Sequence, residues 1–301
     1  MKRLSQKQAK AKLMLILAMF IFGTIGIFRK YIPLPSSVIA LARGSIGMLF
    51  LLVWVLLKGE KISFQAIKNN CFFLGLSGFF LGFNWILLFE AYQYTSVATA
   101  TLCYYMAPIM VILVSPFLLK EHLSRKKMLC VSVARVGIIF VSGVTEVGMS
   151  HLSEVKGILF GLGAALFYAS IMLLNQKIKD ISAYDKTITQ LGIASIVLLP
   201  YTLMTENISE ITLTPISMIM LIIVCVIHTG IAYALYFGSM GDLKAQTIAL
   251  FSYIDPIVAI ILSALFLKEH MSIMGAVGAV LVLGATLISE LPEKTTEQSI
   301  S

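Results

Sequence analysis

The chain has 301 residues, 58% of them hydrophobic and 13% charged, with a mean hydropathy of +0.93. A soluble domain carries about 25% charged residues, so this composition excludes a water-facing globule and points to an all-α membrane protein. The formal net charge is +8, but the basic residues sit in short loops beside apolar runs, which signals orientation in a bilayer and excludes nucleic acid as a partner.

Apolar runs long enough to span fill nearly the whole length. The period-2 alternation of a membrane barrel is absent, so helices are the remaining way to satisfy the backbone in lipid. Ten spans are predicted at 13–31, 36–57, 70–92, 97–118, 127–144, 157–176, 187–204, 215–237, 245–267 and 272–289. The start, MKRLSQKQAKAK followed by LMLILAMFIFGTIGIF, has the outline of a signal peptide. It runs directly into Arg29-Lys30 with no small-residue cleavage site, and is read as the first span. Short connections carrying Pro, Ser, Asn, Asp or Gly separate most spans. The four cysteines, Cys71, Cys103, Cys130 and Cys225, lie inside apolar stretches without ligand spacing, so they are read as lipid- or core-facing residues, with no metal or redox role.

The chain repeats itself. FLLKEHLS at 117–124 returns as FLKEHMS at 266–272, and the match extends without a gap at an offset of 148. Phe89 pairs with Phe237, Thr99 with Thr247, Tyr105 with Tyr253, Pro108 with Pro256 and Lys120-Glu121-His122 with Lys268-Glu269-His270. Repeats of this kind mark carriers built from two halves. The first repeat covers 13–144 and the second 157–290, with cytoplasmic tails at 1–12 and 291–301. Five spans per half is an odd number, so the second half enters the membrane in the opposite sense. The charges agree. With both termini inside, inner segments carry 17 Lys and Arg, outer segments carry Arg29, Lys30, Lys156 and Lys268, and Arg43 and Arg135 lie within spans.

Ten spans, two related five-span halves and an apolar run ending in KEHLS resemble the EamA family of the drug/metabolite transporter superfamily. The resemblance extends over about residues 12–290. It includes FGT at 22–24, Arg43 in the second span, the alanine and threonine pattern before a proline at 98–108 and 245–256, Gly137 and Gly278. Cys130 and Ala285 depart from expected glycines, which bears on helix packing. The resemblance implies secondary transport of small metabolites, often efflux of amino acids or their relatives. No cofactor is expected. The expected partners are a small-molecule substrate and the lipid bilayer of a bacterial cell membrane, with a homodimer left open.

Ionisable groups within spans cost about 2.5–3.5 kcal/mol on insertion scales, so each is a candidate. Asp255 leads, near mid-span in Tyr253-Ile254-Asp255-Pro256. Proline loosens the ladder one turn earlier, and broken helices at mid-depth are where carriers bind. Its repeat mate is Ala107, so the acid is an addition to one half. It is either a contact for a substrate ammonium or a proton, or a carboxylate neutralised by Arg135 or held protonated. Arg43 and Glu90 are expected to pair as a latch or outer gate. Arg135 pairs with Asp255 or Glu90, contacts a substrate carboxylate, or snorkels if it faces lipid. His228, mid-way along the eighth span, is either a proton relay beside Asp255 or a helix contact. Tyr104, Tyr105, Tyr253 and Trp85 are cavity candidates, against a plain packing role. Asn84 needs a partner and either faces the cavity or bridges helices.

The KEH phrase sits at a membrane surface in both halves and is read as a turn motif. Ser124 and Ser272 would cap the following helices, with Glu121 and Glu269 near those N-termini. Enzyme readings are set aside. Tyr184-Asp185 with Gly241-Asp242 resembles the paired aspartates of membrane proteases only faintly, and no H-E-x-x-H or G-x-S-x-G occurs. The expected function is a secondary transporter by alternating access, most simply an exporter. The alternatives are an uptake permease for a small polar solute or a lipid-linked carrier flippase.

Overall fold

A computed structural model describes residues 2–118, 124–141, 152–207, 209, 211, 214–240, 242, 243 and 245–291, and no strand occurs among them. Among the described residues eight helical stretches are long and apolar enough to cross a membrane, two of them composite (Val97–Val114 and Pro215–Ser239), and a shorter apolar stretch covers Leu250–Phe266. The protein is an all-helical, multi-pass membrane protein.

The first helix, α1, runs over Lys2–Lys30. It begins in the polar tail, well before the predicted start at 13. Helix α2 covers Ser36–Leu57 behind Pro35, whose extended backbone turns the chain. A short helix, α3 (Phe64–Asn69), lies in a predicted connection, capped where Ser63 Oγ accepts from the Ala66 N–H at 3.3 Å. Helix α4 follows over Cys71–Tyr94.

The fourth predicted span is interrupted. Helix α5 covers Val97–Tyr104, the chain turns at Tyr105-Met106, and α6 covers Ala107–Leu118. Pro108 has no N–H to offer the Tyr104 carbonyl, so the helical ladder has a gap there. The described part of the fifth span is α7, Arg125–Val141, which has 17 residues; 142–144 lie outside the described residues. Helices α8 (Leu152–Asn175) and α9 (Ala183–Thr205) come next.

The eighth span changes type part-way. Helix α10 (Pro215–Ile223) leads into a π-helical segment, Val224–Ile231, and then α11 (Ala232–Met240). Periodicity alone does not reveal a π segment, because it shifts the register by one residue without altering the apolar pattern. The ninth span repeats the break of the fourth. Helix α12 covers Ala245–Ser252, the chain turns at Tyr253, and α13 covers Ile254–Phe266. Here Pro256 withholds a donor from the Ser252 carbonyl. Helix α14 (Ile273–Glu290) ends the described chain.

The major helix contacts cross between the halves. Helix α4 packs on α8, and α1 on α11; α2 packs on α9, α7 on α14, α5 on α13, and α5 on α8 as α13 does on α1. Where α7 meets α14, Gly137 and Gly278 face each other. A Cβ on Gly278 would lie 2.6 Å from the Gly137 carbonyl oxygen, and one on Gly137 would lie 2.9 Å from the Gly278 carbonyl. Only glycine permits this approach of backbones. The outward faces are apolar, as at Leu49, Val53, Ile196, Leu203, Leu265 and Val280, while Arg43, Asn84, Gln190, His228 and Thr229 are buried. That inversion of a soluble protein suits a lipid surround.

Candidate functional site

The two broken spans pack against each other. Tyr105 and Tyr253, each at its break, place their rings 6.2 Å apart. The Tyr105 hydroxyl lies 3.0 Å from Asp255 Oδ2 and 3.1 Å from the Ser252 carbonyl oxygen. The second acceptor is the carbonyl that Pro256 leaves without a helical donor. Tyr105 adjoins Tyr104 at 6.3 Å, and Tyr104 stacks on Tyr168 at 5.1 Å. Tyr168 shares a helix face with Gly161, Ala164, Ala165 and Ile171, all buried, yet it is 38% exposed. Its open surface therefore faces the bundle interior, not lipid.

The FGT triplet of the first span adjoins this contact. Phe22 packs edge-on against Tyr233 at 5.4 Å and Tyr236 at 6.3 Å. Gly23 lets α1 approach α13: a Cβ there would sit 2.6 Å from the Asp255 carbonyl oxygen. Thr24 Oγ1 lies 2.8 Å from His228 Nε2.

Arg43 does not pair with Glu90. Among the described residues no ion pair within 4.0 Å joins them. Instead Arg43 Nε donates to Thr229 Oγ1 at 2.7 Å, and the guanidinium lies 4.1 Å from the centroid of Trp85 and 5.7 Å from that of Phe89. Cation–π contact offsets part of the cost of a buried cation. Glu90 lies instead within electrostatic reach of Arg29. The charge of Arg43 is also felt at Asp255, although the two form no ion pair. Arg43 is buried and Asp255 half-buried, and no ion pair joins them.

His228 is not seen beside Asp255 as a relay. It is fully buried, its Nε2 meets Thr24, its Nδ1 lies 3.4 Å from the Ile223 carbonyl, and Phe28 packs edge-on at 4.9 Å. The π segment explains this arrangement. His228 and Thr229 both address carbonyls five residues back, Thr229 donating to Val224 O at 3.3 Å. His228 faces α1 and Thr229 faces α2, as consecutive side chains on a helix diverge by about 100°.

Arg135 is also elsewhere. It is exposed on α7 and forms no ion pair with Asp255 or Glu90 among the described residues, the setting in which a long basic side chain can snorkel. Asn84 is a helix bridge: its Nδ2 donates to the Ala164 carbonyl at 2.6 Å, while its Oδ1 is buried without a partner among the described residues. Trp85 is the platform beneath Arg43. The sequence reading missed a buried network in which Gln190 Nε2 donates to Ser77 Oγ at 2.7 Å and Asn175 Oδ1 at 2.8 Å. Its signal was a polar residue within an apolar span, the criterion already applied to Asn84.

The KEH phrase does more than form a turn. Ser272 and Ser124 cap the following helices as expected, accepting from the N–H groups of Gly275 at 3.0 Å and Lys127 at 3.2 Å. Glu269, however, is not spent on α14. Lys268 adopts a left-handed conformation at φ 53°, and Glu269 Oε2 accepts from the Val97 N–H at 2.8 Å and from Ser263 Oγ. Lys30 pairs with Glu269 at 3.5 Å and donates to the Thr95 carbonyl at 3.2 Å. The carboxylate thus caps α5 and joins the ends of α1, α4 and α13. The first copy, Lys120-Glu121-His122, lies outside the described residues.

The chain is similar to known proteins. The sequence model of the EamA-like transporter family matches residues 9–143 and again 155–290. An uncharacterized transporter of Bacillus subtilis, YxxF, is 30% identical over 287 residues, covering 95% of this chain and 91% of the relative. An uncharacterized transporter of Archaeoglobus fulgidus is 25% identical over 280 residues, covering 91% and 94%. A solved crystal structure superposes with a TM-score of 0.65 at 17% identity, covering 93% of this chain and 97% of that one, which speaks to the fold.

Proposed function

Because this chain belongs to the EamA-like transporter family and is a membrane transporter, we propose that it exports amino acids or closely related metabolites by alternating access. The observation that carries the substrate class is a buried Arg43 and a half-buried Asp255 that form no ion pair with each other or with another described residue. Isolated buried charges are costly unless something pairs with them. A zwitterion supplies both partners at once, its carboxylate for Arg43 and its ammonium for Asp255. Tyr104, Tyr105, Tyr168 and Tyr233 offer apolar faces with polar tips around them.

The frame is two inverted repeats, 13–144 and 157–290, in a bacterial cell membrane with both termini cytoplasmic. The double family match and the reciprocal helix contacts support it. Ten spans follow if the fifth and the interrupted ninth each cross. Asp255 is also the candidate proton site. A tyrosine hydroxyl has one proton, and Tyr105 faces two acceptors. A proton on Asp255 would close that count, linking proton uptake to the contact between the broken spans.

The test is an efflux assay in cells with and without the protein, across the proteinogenic amino acids, repeated for Asp255→Asn. The expected result is efflux of at least one amino acid, with its rate and pH dependence lost in the variant. Efflux that survives the change with its pH dependence intact removes Asp255 from the coupling site.

A further inference from the structure

The offset of 148 relates more than sequence. Tyr105 corresponds to Tyr253, Ser252 to Tyr104, Pro256 to Pro108 and Asp255 to Ala107. In this structure Tyr105 donates to the Ser252 carbonyl, freed by Pro256. The equivalent bond would run from the Tyr253 hydroxyl to the Tyr104 carbonyl, freed by Pro108. It is not made: the Tyr253 hydroxyl is buried and has no hydrogen-bond partner among the described residues, and Tyr253 is 8% exposed. A buried hydroxyl without a partner is unfavourable and calls for an explanation, and use in another state of the protein is one.

We infer that Tyr105 and Tyr253 are alternating positioning residues for the central site, each clamping the proline-freed carbonyl of the opposite half in one of the two access states. This rests on the proposed two-repeat carrier. When inverted halves exchange conformations, a bond from the first half to the second is replaced by its mate from the second to the first. The present state has the Tyr105 clamp, and we take it as the state closed at the Glu269 end, where the Val97 N–H meets the Glu269 carboxylate and the Val97 side chain, 0% exposed, packs against Gly26 of α1. The other state has the Tyr253 clamp and is open at that end.

Asp255 makes the two clamps unequal. Tyr105 has the Asp255 carboxyl group 3.0 Å away as a second polar partner, whereas Tyr253 would face Ala107. Whatever engages Asp255, a substrate cation or a proton, therefore weighs on the choice between clamps. A ligand shifts such an equilibrium only by its difference in affinity for the two states, and Asp255 supplies that difference.

The experiment uses Val97→Cys as a reporter in the full-length protein with Cys71, Cys103, Cys130 and Cys225 replaced by alanine. A membrane-impermeant maleimide is applied from the face on which Val97 lies. Tyr105→Phe removes the present clamp and is expected to speed labelling about fivefold, the worth of one hydrogen bond. Tyr253→Phe removes the opposite clamp and is expected to slow it by a similar factor. Proline replacements give a second, independent pair. Pro256→Ala restores a helical donor to Ser252 and should act like Tyr105→Phe, while Pro108→Ala should act like Tyr253→Phe. Effects of the same sign for both tyrosines, or no effect from any of the four, overturn the exchange while leaving the carrier standing. A parent reporter that never labels, with or without amino acids or a pH gradient, overturns the alternating-access reading and the exchange with it.

Discussion

Glu269 accepts a hydrogen bond from the backbone N–H of Val97 at 2.8 Å, across 172 residues of chain. The carboxylate stands at the N-terminus of the broken fourth span, where orphan amides and the helix dipole favour negative charge. Ser263 and Lys30 hold it there. Replacing Glu269 with Gln keeps an acceptor but removes the charge. The expected cost is about 1–2 kcal/mol, from the loss of a charge-assisted bond and a half-buried ion pair. Thermal unfolding in detergent checks it, and an unchanged midpoint rules the cap out as a stabilising contact.

Arg43 combines an Nε bond to Thr229 with a guanidinium plane over Trp85. Lysine keeps the charge but can supply neither the fork nor the plane. Arg43→Lys is expected to raise KM for a carboxylate-bearing substrate about tenfold, roughly 1.4 kcal/mol, with a smaller change in kcat. Transport kinetics in proteoliposomes separate the two. A variant with unaltered KM places the substrate carboxylate elsewhere.

Thr24 and His228 join the first span to the π segment of the eighth. Thr24→Val preserves shape and deletes the bond, leaving a buried imidazole nitrogen unpaired. A loss of about 1–2 kcal/mol of stability is expected, read as a lowered unfolding midpoint. The pH profile of transport should keep its form, because His228 is engaged as a helix contact. A displaced profile would return His228 to the proton path.

Gly278→Ala places a methyl against the Gly137 carbonyl, where nothing flexible can yield. The expected result is loss of monodisperse protein on size-exclusion chromatography. Gly75 is the control, since a Cβ there meets nothing within 4 Å. Gly75→Ala should be neutral or add stability, up to about 1 kcal/mol, from helix propensity.

Several features are legible in the sequence alone. Hydropathy located the second span at 36–57, where α2 lies, and the sixth and seventh within a few residues of their helix ends. Pro256 is read from the sequence as loosening the ninth span, which does break there, whereas the matching break at Pro108 in the fourth span is not expected from the sequence reading. Asp255 was singled out as an acid in lipid, and it does stand where the two broken spans meet. The partners were less accessible. Arg43 was assigned to Glu90 because both lay near one depth, yet depth along a helix says nothing of which way each helix is turned. Arg135 and Asp255 have complementary charges, but Arg135 is exposed on α7 and no ion pair joins the two. The π segment that aims His228 at Thr24 leaves no mark in composition.

Class and frame follow from one-dimensional properties. Hydropathy summed over about twenty residues dictates that a segment enters lipid, and self-similarity at an offset of 148 relates the two halves without reference to space. Contacts are another matter. They depend on helix rotation, on breaks that redirect a helix, and on glycines that set how near two backbones come. Those quantities are settled jointly by all the packed helices. So the chain alone nominates Tyr105, Tyr253 and Asp255, but only their packing makes one tyrosine bonded and the other bare.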